Sequence, residues 1–179
     1  MDMQKIRSTT ILGVRIGKKI ALGGDGQVTM GDMQMKSSAV KVRSFYEGKI
    51  LAGFAGAVAD AMTLFEKFEA KLIEVDGNLQ KAVVEMAKDW RTDKMLKELD
   101  ALLAIMDSKT SYLLSGSGDV IEPDGSVISI GSGSGYAVSA ARAYLDSKQK
   151  DPAVVVEKAL TIAADLCIYT NDKITILQA

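Results

Sequence analysis

The order in which the hydrophobic period changes along this chain restricts its fold more than any single residue does. From Thr9 to Ile16 the pattern repeats every two residues, with Thr10, Leu12, Val14 and Ile16 on one face and Thr9, Ile11, Gly13 and Arg15 on the other, as in a strand. Gly17-Lys18-Lys19 signals a turn and Ile20-Ala21-Leu22 a return strand, which Gly24-Asp25-Gly26-Gln27 closes. Val40 to Tyr46 alternates again, Glu47-Gly48 turns the chain, and Lys49 to Phe54 runs back. Both hairpins are expected to be antiparallel. The period then lengthens. Val58, Met62, Phe65, Phe68 and Leu72 mark the apolar stripe of one helix, Gly77-Asn78 breaks it, and Leu79, Val83, Met86 and Trp90 mark a second. From Ala101 short apolar runs return: Ala101 to Met106, Tyr112 to Ser115, Val120-Ile121 and Val127 to Ile130, with turns at Gly116 to Asp119 and Pro123-Asp124-Gly125. A third helix is predicted over Tyr136 to Ser147. A fourth begins at Asp151-Pro152, with the aspartate as N-cap and proline in the first helical position, and runs to about Tyr169. Ile174 to Leu177 is the last strand. Strands, two helices, strands, two helices and a strand describe one α+β domain of stacked layers.

The 179 residues suffice for one sizeable core. A net charge of -1 gives no electrostatic reason to bind nucleic acid or an acidic membrane. No apolar run reaches the roughly 20 residues of a membrane helix. Cys167 is the single cysteine, so no internal disulfide forms and a reducing compartment, the cytoplasm, is expected. Met1 to Ser8 is too short and too polar for a secretory signal; it reads either as a frayed terminus or as a propeptide.

The chain contains no histidine, which excludes the Ser-His and Cys-His pairs that usually activate a nucleophile. A hydroxyl nucleophile without histidine remains feasible when a threonine forms the chain's own N-terminus and its free α-amine acts as base. Removing Met1 to Ser8 would create that arrangement at Thr9. Asp25, between two glycines, is an ordinary turn residue when taken alone, and Lys41 an exposed charge on a half-buried strand. Taken with Thr9 they form a chemical proposal. An ammonium near the amine depresses its ordinary pKa of about 7.7–8.0 and leaves more free base; Asp25 would pair with Lys41 and fix it. Gly53 and Gly56, at the end of the second hairpin, would offer a backbone N–H to a developing oxyanion.

Gly131-Ser132-Gly133-Ser134-Gly135 lies between a strand and a helix, the place of a phosphate cradle, and makes a nucleotide-binding module an alternative reading. Tyr136 stands where the third glycine of G-x-G-x-x-G is needed, and no P-loop occurs anywhere, so the chain is not expected to hydrolyse ATP itself. With no histidine and one cysteine, zinc or iron would require carboxylates alone; a hard cation on backbone carbonyls stays open.

Thr9-Thr10-Ile11, Gly24 to Gln27, Lys41, Gly53-Phe54-Ala55-Gly56, Ala59-Asp60-Ala61, Lys88-Asp89-Trp90-Arg91, Gly131-Ser132-Gly133 and Cys167 to Asn171 together resemble the HslV (ClpQ) family, the proteasome-like peptidase subunits of bacterial ATP-dependent proteases. The resemblance runs from Thr9 nearly to the C-terminus. It implies a four-layer αββα sandwich of the N-terminal-nucleophile hydrolases, a propeptide ending at Ser8, and a mature domain of residues 9–179. It also implies Thr9 as nucleophile, Asp25 and Lys41 as its charged pair, Gly53 at the oxyanion hole and Ser132 orienting the amino group. A monovalent cation such as sodium would bind through main-chain carbonyls of Ala164, Cys167 and Thr170. Two stacked six-membered rings, a ring ATPase partner (HslU, ClpY) and unfolded or tagged protein substrates follow as expectations. An uncleaved leader would instead imply an inactive structural ring subunit. The chain departs from the family pattern at Ser134, where glycine is usual, at Ala164, where many members carry glycine, and at Ser8, which offers a hydroxyl one position early.

Overall fold

The computed structural model describes residues 6–7, 9–94, 96, 99, 101–115 and 118–179. Apart from the backbone of Ile6–Arg7, the leader, Ser8 included, lies outside the described residues, as do Gly116 and Ser117 of one predicted turn.

Two antiparallel sheets carry the fold. One has the order β11-β2-β3-β12, from Val127–Gly131, Thr10–Ile16, Lys19–Gly24 and Thr175–Gln178. The other has the order β10-β9-β8-β7-β6, from Val120–Ile121, Ser111–Ser115, Ala101–Met106, Ile50–Gly56 and Val42–Phe45. A small third sheet joins β1 (Ile6–Arg7), β4 (Val28–Met30) and β5 (Met33–Lys36) in the order β1-β4-β5. Helices α1 (Val58–Glu74) and α2 (Leu79–Thr92) cover the second sheet; α3 (Ser134–Asp146) and α4 (Pro152–Leu166) cover the first.

Strand alternation builds this layering. Successive side chains of β2 point to opposite faces. Ile11 therefore joins Leu22, Leu51, Met106 and Ile128 between the sheets, while Leu12 and Val14 pack with Ala141, Val155 and Leu160 beneath α3 and α4. Under α1 and α2, Phe45 meets Phe65 edge-on with centroids 5.5 Å apart, and Trp90 is fully buried. Each such side chain contributes about 1.5–3 kcal/mol by leaving water. The four layers are the αββα arrangement expected from the sequence.

Local details differ from the sequence reading. The α1 stripe is Ala61, Leu64, Phe65, Phe68 and Leu72, whereas Val58 and Met62 are exposed; the 3.6-residue period carries Met62 off the face that 65, 68 and 72 define, while Val58 lies on that face but is the first residue of the helix. Helix α3 begins at Ser134, two residues early, and ends at Asp146. Helix α4 ends at Leu166, three residues short of Tyr169, because Cys167 turns to an extended backbone. Asp151 does cap α4, accepting the Ala153 N–H at 2.9 Å. The β4–β5 hairpin was not predicted: its Val-Thr-Met and Met-Gln-Met-Lys segments are too short and too exposed to alternate clearly.

Candidate active site

The site forms where β2 begins. Thr9, just ahead of the strand, and Thr10, its first residue, are held by groups that come from distant segments. The Thr9 carbonyl accepts the Ser132 N–H at 2.8 Å. The Thr10 N–H donates to Asp25 Oδ1 at 2.8 Å, and the Asp25 N–H donates back to the Thr10 carbonyl at 3.2 Å. Thr10 Oγ1 lies 2.7 Å from Thr170 Oγ1 and accepts the Gly133 N–H at 2.9 Å. Thr9 is buried and, by alternation, shares the face of Ile11, toward the second sheet.

Asp25 and Lys41 meet on that side. Lys41 Nζ donates to Asp25 Oδ1 at 3.0 Å and to the Gln27 carbonyl at 2.5 Å, and the two side chains are 0% and 1% exposed, respectively. Both single-residue readings are thereby corrected: Asp25 is more than a turn residue, and Lys41 is no surface charge. Asp25 Oδ2 accepts the N–H groups of Gln27 at 2.9 Å and Asn171 at 3.3 Å. Four donors therefore converge on one carboxylate. Burial pushes the Lys41 ammonium below its ordinary pKa, while the charge and hydrogen bond of Asp25 pull it back up.

Gly53 stands opposite Val42 in the β6–β7 ladder, and the next residue, Phe54, donates its N–H to the Lys41 carbonyl at 3.1 Å. A methyl group at Gly53 would meet Ile11 Cγ2 at 2.7 Å and Leu22 Cδ2 at 3.2 Å. Glycine is thus required there by the close approach of the two sheets. Gly56 ends β7 and is partly exposed, farther along the strand. Ser132 is exposed at the rim of an open cleft of about 570 Å³, lined by Leu102, Leu113, Leu114, Ile130 and Gly131. Gly131 has φ +97°, and a Cβ there would fall 1.9 Å from the Thr9 carbonyl oxygen. The loop after β11 is therefore shaped to clasp the start of β2. Because Ser132 and Gly133 donate their N–H groups to Thr9 and Thr10, those donors are already engaged, which counts against a phosphate cradle at Gly131–Gly135.

Helix α4 ends beside the same cluster. Cys167 is buried; its N–H donates to the Ala163 carbonyl at 2.8 Å and its carbonyl accepts the Thr170 N–H at 3.0 Å. Ala164 is partly exposed. A helix C-terminus leaves carbonyls without intrahelical donors and carries partial negative charge. The three carbonyls on which the sequence resemblance places a cation, those of Ala164, Cys167 and Thr170, belong to this segment, and that of Cys167 accepts the Thr170 N–H. Among the described residues, no cluster of three or more His, Cys, Asp or Glu side chains is placed to hold a metal, and no helix is long and apolar enough to cross a membrane.

The structure thus gathers Thr9, Asp25, Lys41, Gly53 and Ser132 around the start of β2. Sequence reasoning assigned no role to Thr10, Gln27, Gly133 or Asn171. Gln27 and Asn171 were visible inside the Gly-Asp-Gly-Gln and Cys-Ile-Tyr-Thr-Asn runs, but their partners are 141 and 146 positions away for the Gln27–Ile168 and Asn171–Asp25 contacts.

Comparison with known proteins places the fold. Residues 6–178 match the family model described as proteasome subunit. The chain is similar to eukaryotic HslV from Trypanosoma brucei, with 40% identity over 94% of this chain and 98% of that one and a TM-score of 0.88. It shares its fold with BPH from Thiobacillus denitrificans, at 16% identity over 95% and 97% of the two chains and a TM-score of 0.71. The same protein in complex with epoxomicin gives 15% identity and a TM-score of 0.72.

Proposed function

The chain belongs to the proteasome-subunit family, on its HslV branch, and from that premise we propose that it is a threonine peptidase in which removal of Met1 to Ser8 turns Thr9 into an N-terminal nucleophile. A proteasome-like peptidase core follows from membership; the residue roles are our reading. The observation that carries it is the fully buried Asp25–Lys41 pair, fastened to the N–H of Thr10 next to the nucleophile.

In this mechanism the Thr9 α-amine takes the Oγ proton while Oγ attacks the substrate carbonyl carbon. The resulting oxyanion is assigned to the Gly53 N–H; a donor of this kind contributes about 3–4 kcal/mol. The ammonium then protonates the departing nitrogen, the C–N bond breaks, and an ester remains on Thr9. Water then attacks that ester while the amine takes its proton; the C–Oγ bond breaks, the ammonium returns the proton to Oγ, and the acid product leaves with the amine free again. Lys41 has three N–H donors, two of which are engaged by Asp25 and Gln27; the third is assigned to Thr9. Its positive charge holds the amine's pKa down, so the base is unprotonated near neutrality. Ser132 is assigned to orienting the amine.

The leader itself supports the substrate reading. Ile6 and Arg7 pair antiparallel with Met30 and Thr29 of β4, so these two leader residues are held as an extended strand. The same edge would receive an extended peptide after cleavage. A monovalent cation such as sodium is assigned to the carbonyls of Ala164, Cys167 and Thr170, where it would neutralise the end of α4 and stiffen the turn. Assembly into two stacked six-membered rings is part of the same proposal. Delivery of unfolded or tagged proteins by the ring ATPase HslU (ClpY), in the cytoplasm, completes the proposal and assigns ATP chemistry to the partner.

The test is the intact mass of the assembled protein together with peptidase turnover of Thr9→Ala. A mass short by Met1 to Ser8, with turnover lost and the fold kept in Thr9→Ala, is expected. Turnover by an uncleaved chain, or by Thr9→Ala, overturns the reading; a full-length mass without turnover indicates the inactive ring subunit.

A further inference from the structure

Asn171 has no part in the chemistry above, yet three segments of the site meet on it. Its backbone N–H donates to Asp25 Oδ2 at 3.3 Å. Its side-chain Oδ1 accepts the Gly26 N–H at 3.0 Å and the Lys173 N–H at 3.1 Å. Its Nδ2 donates to the Ser37 carbonyl at 2.9 Å. Gly26 follows Asp25 directly, and Ser37 begins the loop that delivers Lys41 four residues later. One amide thus uses its acceptor on the Asp25 turn and its donor on the Lys41 loop, which a carboxylate, an acceptor only, cannot do. The two segments are in close contact there: a Cβ on Gly26 would lie 2.4 Å from the Ser37 carbonyl oxygen. The preceding residue, Thr170, bonds Thr10 Oγ1, so the turn after α4 also reaches the nucleophile's strand.

We propose that Asn171 is a positioning residue for the catalytic pair: by clamping the Gly26 turn to the Ser37 loop it sets where the Asp25–Lys41 pair stands relative to Thr9. This rests on the reading of Thr9 as nucleophile. Asp25 and Lys41 are the ionised side chains in this cluster; Lys173 and Asp172 sit 3.8 Å from each other, both largely in solvent. Loss of the clamp lets the ammonium move away from the amine. The amine's pKa then returns toward its ordinary 7.7–8.0, and the protonated, inactive form persists to higher pH.

The experiment compares wild-type, Asn171→Ala and Asn171→Ser assemblies, measuring kcat, KM and the pH dependence of kcat/KM on a small peptide, with Thr9→Ala as control. Displacements of this kind lower rates by up to about 100-fold. Asn171→Ala is expected to lose about 10- to 100-fold in kcat with KM little changed, and its acid limb should move to higher pH. Asn171→Ser, which keeps a short acceptor, should fall between and supplies the answer should the alanine variant fail to fold. A folded variant with wild-type kcat and an unmoved acid limb overturns the proposal, even with a lowered melting temperature. Wild-type turnover that survives Thr9→Ala refutes the nucleophile assignment itself and this proposal with it.

Discussion

Changing Asp25 to asparagine keeps the shape of a fully buried side chain and removes its charge, and the contacts around it set the size of the effect. Oδ1 accepts Thr10 N–H and Lys41 Nζ; Oδ2 accepts Gln27 N–H and Asn171 N–H. An amide offers one oxygen and one NH2. Whichever way it turns, two buried donors face another donor, at about 1–3 kcal/mol each. The Lys41 ammonium also loses its countercharge, and breaking a buried ion pair by removing one partner costs about 3–5 kcal/mol. These two accounts overlap, so about 3–5 kcal/mol is expected for Asp25→Asn. The assay is urea denaturation at fixed protein concentration, since assembly makes stability concentration-dependent, read as a shift in midpoint at constant m. The pH dependence gives a second reading. Burial already holds Lys41 below its ordinary value against the pull of Asp25; without that pull its folded pKa drops further. The unfolded chain then binds more protons than the folded one between that depressed pKa and the ordinary value of 10.5, so stability rises with pH across this window. The deficit of Asp25→Asn should therefore shrink on going from pH 7 to pH 10. A loss below about 1 kcal/mol, or a deficit that grows with pH, would refute the reasoning that this pair is buried and mutually dependent.

Gly53→Ala should lower stability by about 1–3 kcal/mol through overpacking, because its methyl would meet Ile11 Cγ2 at 2.7 Å; thermal melting checks this, with the exposed Ser139→Ala as the neutral comparison. Asp151→Ala removes the cap that accepts the Ala153 N–H and should cost about 1 kcal/mol while peptidase turnover stays at the wild-type level; denaturation and a peptide assay on one preparation separate the two effects.

The layered fold was legible because its two periods alternate in long blocks. Leu79, Val83, Met86 and Trp90 are all buried on α2 as their spacing implies, and β2 and β3 pair as their turn predicts. What escaped was local or distant. The end of α4 depends on Cys167 leaving helical angles, and a helical pattern carries no mark of that choice. Met33 and Met35 are hydrophobic yet exposed on a short edge strand, so their apolar character pointed away from their place. At the site, Asp25 and Lys41 were identifiable as a pair through their family context, whereas their burial was not: composition classes both as surface residues. The clamps on them, Ser132 to Thr9 and Asn171 to Asp25, join residues more than a hundred positions apart, and no local period encodes such a closure.

All the bonds described above for the first two residues of the mature domain come from its own downstream segments. Ser132 grips the Thr9 carbonyl, Asp25 the Thr10 N–H, and Gly133 the Thr10 hydroxyl; each lies beyond the bond to be cut. A freshly cut chain end ordinarily frays, and fixing one backbone residue costs about 1–2 kcal/mol in entropy. Under the proposed cleavage that ordering is completed during folding and survives the cut. A reactive terminus would thus be created already immobilised, and each catalytic cycle would start from a nucleophile that need not be found among wandering conformations.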